Sequence, residues 1–274
     1  MTEHAVLIAA ADLLPAMKSR LAAHVRELQA FTDAEALRAL ETITTRRPGL
    51  VFHPIDVSAA ALDEAKEQLG ERLPDLRVDP VCDHYLPALA RLDHAEGPRL
   101  VLFMGSTLGN FEPEEAIVFL GDLRARLRPD DLFLLGLDLE KDPAILVPAY
   151  DDAAGVTAAF NLNLLARLNR ELGADFDLEG FRHVALWNET EHRIEMHLES
   201  TRAQEVAFAA TGLAIAFAEG ERIHTENSYK HPPAEVDRLL VAGGFEPVQT
   251  WADPQGWFTL RLAKPSPAVP SART

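Results

Sequence analysis

Apolar residues in this chain follow two rhythms. Leu50 to Val57 (LVFHPIDV), Pro98 to Met104 (PRLVLFM) and Leu132 to Asp138 (LFLLGLD) are short apolar runs with little polar alternation, and Leu76 to Cys82 (LRVDPVC) is a weaker one. Runs of this kind fit strands covered on both faces. Between them, Asp33 to Ile43, Ala59 to Leu73 and Pro113 to Leu127 carry apolar residues at helical spacing. Ser58 is placed to cap the second of these helices. Pro113 and its acidic neighbours open the third, and arginines close it. Strands alternating with helices predict an α/β doubly wound sheet, in which ligands sit beyond the carboxyl ends of the strands. Asp56, Cys82 to Tyr85, Gly105 to Asn110 and Asp138 are therefore expected to face one crevice.

The rhythm changes after Asp142. Ala158 to Leu172 reads as one long amphipathic helix, with no strand after it for some distance, and predicts a mainly helical insertion. His192 to Ser200, Glu205 to Ala210 and Leu213 to Phe217 then alternate as antiparallel strands do. Pro233 to Ala242 is a helix closed by two glycines, and Phe245 to Trp251 with Trp257 to Ala263 form a terminal antiparallel pair. The expected organisation is a core over residues 1–141, an insertion over 142–205, the remainder of the core over 206–264, and a disordered tail over 265–274.

Charge narrows the partners. With 26 Lys+Arg against 43 Asp+Glu, the formal charge of -17 argues against nucleic acid and anionic membrane surfaces. Cys82 has no second cysteine to pair with, and a reducing cytoplasm is the simplest compartment. No stretch is long and apolar enough to span a bilayer, and Met1 to His4 lacks the basic start of a signal peptide.

Three polar clusters could carry chemistry. Asp56 ends a strand, where nucleotide-binding sheets often place an acid on ribose hydroxyls; a solvated acid at the next helix start is the plainer alternative. Gly105-Ser106-Thr107-Leu108-Gly109-Asn110 follows a buried strand, and its glycines would let backbone approach a ligand; an ordinary strand-to-helix connection would look similar. Thr225 to Lys230 is polar between apolar strands and could hold an imidazole or a cation, although a solvated loop is the default reading. Asn161 and Asn163 stand inside a helix, bonded either to a ligand or to backbone. His183, His192, His197 and His224 form no His-x-x-x-His pair, so spacing along the chain supports no metal site.

From about Asp56 to Ala263 the chain resembles the histidine-specific S-adenosylmethionine-dependent methyltransferases, which make Nα-trimethylhistidine for ergothioneine biosynthesis. The resemblance rests on residues 103–111 (FMGSTLGNF), 137–142 (LDLEKD), 149–161 (AYDDAAGVTAAFN), 169–176 (NRELGADF), 193–196 (RIEM) and 225–228 (TENS). It implies a class I methyltransferase (Rossmann-like) sheet with an inserted substrate-binding domain, and S-adenosylmethionine as methyl donor. By the same resemblance Asn110 holds the amino and carboxylate groups of histidine, Tyr150 its carboxylate, and Glu226 and Ser228 its imidazole, with Met196 in the same site. The donor falls to Asp56 for the ribose, Asp83 and His84 for the adenine, and Gly105 and Ser106 for close backbone approach.

The departures lie on the donor side. Where the family has Glu-Leu-Gly-Ser-Gly-Thr after its first strand, the matching segment is Glu27-Leu28-Gln29-Ala30-Phe31-Thr32. The family's adenine acid falls at His84, with Asp83 one residue away, and the front of the chain reads as shortened. Two expectations follow: an active enzyme on histidine or a related amino acid, or a non-catalytic histidine-binding relative that pairs with a complete enzyme.

Overall fold

The computed structural model describes residues 5–9, 40–41, 49–92 and 97–267, the first of these as backbone only. The described residues fall into two compact units, one built from residues up to Leu139 and again from His231 onward, the other from Glu140–Lys230.

The first unit is an eight-stranded sheet. Its strands are β1 (Ala5–Ala9), β2 (Val51–Asp56), β3 (Arg77–Val78), β4 (Val81–Cys82), β5 (Leu100–Phe103), β6 (Leu132–Asp138), β12 (Phe245–Ala252) and β13 (Phe258–Pro265). The order is β12-β13-β6-β5-β1-β2-β3, with β4 also on β2. Pairs from β6 through to β3 and β4 are parallel, and β13 runs antiparallel to both β6 and β12. The chain reverses its direction of winding at β1, which lies between β2 and β5.

Helices α1 (Ala59–Arg72), α2 (Tyr85–Arg91), α3 (Pro113–Ala125) and α6 (Pro233–Ala242) belong to this unit. Buried residues form two clusters: Leu120, Phe133, Leu135, Leu239 and Phe245 are in the larger, and Leu50, Phe52, Leu76 and Leu102 in the smaller. Phe52 and Ile55 on β2, like Val101 and Leu102 on β5, fall in different clusters, which is why these strands read as apolar throughout. Ser58 caps α1 as expected, its side chain accepting from the Ala61 N–H at 3.3 Å. The single strand expected over Leu76 to Cys82 is broken in two around Asp79-Pro80, because proline has no N–H for the ladder.

The second unit carries α4 (Pro143–Tyr150), α5 (Val156–Leu172), the antiparallel sheet β11-β8-β7 (Arg222–Tyr229, Arg193–Ser200, Phe181–Asn188) and the pair β9-β10 (Gln204–Phe208, Leu213–Phe217). The mainly helical description thus fits only its first part. The expected boundary at 205 falls inside the unit, since β9, β10 and β11 belong to it. Leu165, Phe176, Phe181, Leu198, Phe208 and Phe217 build its core.

Among the described residues no helix is long and apolar enough to cross a membrane. Glu27–Thr32, matched above to a glycine loop, lies outside the described residues, as does most of the helix expected over Asp33 to Ile43. The strand between β2 and β5 is Ala5–Ala9.

Candidate active site

Within the first unit, the expected residues lie at or just after the carboxyl ends of the parallel strands β2, β4 and β5. Asp56 ends β2 and is paired in register with Cys82 at the end of β4. It is 2% exposed, and its Oδ1 accepts the Ser58 N–H at 2.7 Å. Asp83 follows, its backbone N–H donating to the Asp56 carbonyl at 3.1 Å. The Asp83 carboxylate is engaged locally: Oδ1 accepts the His84 N–H at 2.8 Å and Oδ2 lies 3.5 Å from Arg91 Nη1. His84 opens α2 with no side-chain cap bond.

On the far side of β1, β5 leads into Gly105 (φ 79°) and Ser106 (φ 61°), both left-handed. Glycine adopts that backbone freely, whereas Ser106 is held there. Its N–H donates to the Gly136 carbonyl at 3.2 Å, and its Oγ accepts the Asp138 N–H at 3.1 Å, which ties the loop to β6. Among the described residues, a Cβ at Gly105 would meet nothing nearer than Thr107 Oγ1 at 4.0 Å. A 3-10 turn over Thr107–Asn110 follows and leaves Asn110 exposed.

Within the second unit, Tyr150 and Ser228 meet. The Tyr150 hydroxyl and Ser228 Oγ are 2.8 Å apart, and Lys230 Nζ donates to both, at 2.6 and 2.8 Å. Lys230 is fully buried, and its ammonium lies 4.8 Å from the centre of the Tyr150 ring. Glu226 is on the same strand; burial raises its carboxyl pKa, and the Lys230 charge opposes that shift. Met196 is 4% exposed and packs with Leu146 and Ile194 in an apolar cluster against which Tyr150 rests. It supports the ring rather than presenting a polar atom.

The segment from Thr225 to Ser228 is therefore not a loop but part of β11. Thr225 Oγ1 donates to the Met196 carbonyl at 2.9 Å, and a bulge between His224 and Glu226 shifts the register with β8. Lys230, the last residue of the polar stretch Thr225 to Lys230, donates to both Tyr150 and Ser228; its one signal in the sequence is a lysine closing a polar run between apolar strands. Asn161 is settled as structural, its Nδ2 donating to the His197 carbonyl at 3.1 Å. Asn169 clamps the Phe176 backbone from both sides, at 2.8 Å each. A polar hollow lined by Arg182, Glu199, Ser200, Thr201, Glu219 and Gly220 contains none of the expected residues.

A parallel sheet reversing at its central strand, closed by an antiparallel β12–β13 pair and carrying an acid at the end of β2, defines a class I methyltransferase. The model of the family described as "Histidine-specific methyltransferase, SAM-dependent" matches residues 2–265, and the chain belongs to that family. It is 45% identical over 265 residues to a histidine N-alpha-methyltransferase of Mycolicibacterium smegmatis, covering 96% of this chain and 78% of that one. It is 39% identical over 260 residues to the protein of the same name from Mycobacterium tuberculosis, covering 93% and 81%. An ergothioneine biosynthesis protein 1 of Neurospora crassa is 31% identical over 249 residues, which is 84% of this chain and 28% of that one. The family match runs through Gln29-Ala30-Phe31, the segment on which the non-catalytic expectation rested.

Proposed function

We propose that this protein transfers methyl groups from S-adenosylmethionine to the α-amine of L-histidine. The observation that carries the reading is the buried Tyr150–Ser228–Lys230 cluster, with Glu226 on the same strand, in a chain of the histidine-specific family.

The donor-side residues suit S-adenosylmethionine in kind. Asp56 is an acid locked at the end of β2, as a ribose diol requires, and Gly105-Ser106 offers left-handed backbone after β5, one strand further across the sheet beyond β1. His84 and Asp83 are the residues assigned to the adenine edge. When bound, the donor supplies a sulfonium-activated methyl group.

The chain's own residues then have the work of positioning. Asn110, carrying both donor and acceptor atoms, is assigned the amino and carboxylate groups of the amino acid. Tyr150 is assigned the carboxylate. Lys230 donates to its hydroxyl oxygen, which polarises the phenol and makes Tyr150 a stronger hydrogen-bond donor. Glu226 and Ser228 are assigned the imidazole. A carboxylate partner on the ring fixes which way histidine enters, and it rejects side chains with no N–H to offer.

Two measurements test this. Calorimetry with S-adenosylhomocysteine reads donor binding, and mass spectrometry after incubation with S-adenosylmethionine and L-histidine reads methylated histidine. Methylated product that disappears in Tyr150→Phe combined with Ser228→Ala supports the reading. A protein that binds neither ligand and yields no methylated product overturns it.

A further inference from the structure

Strands β8 and β11 place three metal-ligating side chains together at a spot outside the residues assigned above. Glu195 and His197 are two apart on β8 and so share one face. His224 on β11 is the direct cross-strand partner of His197. The two imidazoles stack, with ring centres 4.5 Å apart and planes at 28°. One donor atom from each of the three residues lies within 4.8 Å of the others. Spacing along the chain concealed this, because the pair is formed by strand register rather than by one helical turn.

We propose that Glu195, His197 and His224 form a binding site for one divalent transition-metal ion of the zinc class. The carboxylate is prepared for it. Glu195 Oε1 accepts from Asn188 Nδ2 at 2.9 Å and from Arg193 Nε at 2.9 Å, while Oε2 is turned toward His197 Nε2 at 3.2 Å. Two ligands bound at zinc's usual distances to one tetrahedral ion lie about 3.4 Å apart, so this pair already has the required separation. The His197 side chain is 10% exposed, and within the described residues its Nδ1 is buried without a hydrogen-bond partner. His224 is exposed, so its ring can rotate toward the ion without being lifted out of a packed core. The nearby Arg222 guanidinium is already paired with Glu199 at 2.7 Å. Two imidazoles and one carboxylate suit zinc-like ions better than magnesium or calcium, and they leave a fourth position for water. An ion here would brace β8 against β11 beside the bulge that precedes Glu226.

The test uses the full chain without a histidine tag, stripped with chelator and titrated with Zn²⁺ alone by calorimetry. The expected result is one equivalent bound with a Kd at or below about 10 μM, and affinity at least about tenfold weaker in His224→Ala, an exposed position. Weaker binding by the parent, or equal affinity in the variant, overturns the site. If His224→Ala fails to fold, Co²⁺ added to the parent replaces it. Paramagnetic shifts of the His197 and His224 ring resonances support the proposal, and shifts confined to other histidines overturn it.

Discussion

With the imidazole role proposed for it, Glu226 would bring binding and stability into opposition at one side chain. Burial raises its carboxyl pKa. A carboxyl shifted this way contributes stability below its unfolded value of about 4.3 and loses it as pH rises through the folded value. Removing the charge should therefore help the fold and harm recognition. Glu226→Gln is expected to raise the urea midpoint at pH 8 and to match the parent below about pH 4. The same variant should weaken histidine by roughly tenfold or more, read as KM, because a charged partner of the imidazole is lost. A second residue-scale prediction concerns the fully buried pair Arg99–Asp131. Asp131 accepts from Arg99 Nε at 2.9 Å and Nη2 at 2.6 Å, and from the backbone N–H groups of Arg99 and Arg128 at 2.8 Å each. Burial alone would raise this carboxyl, but these bonds outweigh it and hold its pKa low. Asp131→Ala leaves a buried guanidinium without its counterion and should cost about 3–5 kcal/mol in equilibrium unfolding. The pair was not legible beforehand: Arg99 sat in an apolar run and Asp131 in a turn, and nothing in either pattern joins residues so far apart in sequence.

Among the elements, those with one strong local signal were read well. The strand Leu132–Asp138 and the helix Pro233–Ala242 have the bounds expected from their patterns, and α1 begins at its expected cap. Elements stabilised from a distance were not. Strand β11 carries Thr225, Glu226, Asn227 and Ser228, a polar run that suits a loop until β8 supplies the ladder. Strand β7 is hidden for a similar reason, since Arg182 and His183 interrupt its apolar residues near its start and its neighbour comes later in the chain. The motif around Asp152 is a helix-capping device. Asp152 Oδ2 accepts the Val156 N–H at 3.0 Å and Oδ1 the Thr157 N–H at 2.8 Å, at the start of α5. Burial alone would raise its pKa, but these backbone bonds outweigh it and hold it at about 2. Asp152→Ala should destabilise the protein by about 1 kcal/mol at pH 7. That difference should shrink as pH falls from about 4 toward 2, where the parent carboxylate is itself protonated. Helix packing is equally exacting at Gly243, where a Cβ would sit 2.3 Å from Leu120 Cβ. Gly243→Ala is expected to cost about 1–3 kcal/mol, visible as a lower melting temperature.

For the whole molecule, the parallel, doubly wound character of the sheet follows from alternating helices and apolar strands, and the resemblance supplies the family to which the chain belongs. Which strand lies at the centre did not follow: the glycine-loop match pointed to Glu27, whereas β1 is Ala5–Ala9. Donor binding is accordingly a property to measure on the intact chain. S-adenosylhomocysteine at a hundredfold excess over its Kd should stabilise the fold by about 2.7 kcal/mol, read as a rise in melting temperature that grows with ligand concentration. Flat melting curves across that range would mean that no donor site forms.

The second unit leaves the sheet after Leu139 and returns at His231, and these two residues are themselves joined by a parallel β-bridge. Its entry and exit are thus side by side. In connectivity the whole of 140–230 is one long detour between a strand and the helix that follows it. Such a detour can be exchanged without re-threading the sheet. The residues assigned to the imidazole all lie inside the detour, and those assigned to the ribose and adenine all lie outside it. A graft of the corresponding segment from a relative acting on another amino acid would therefore alter which side chain is accepted while leaving donor recognition where it is.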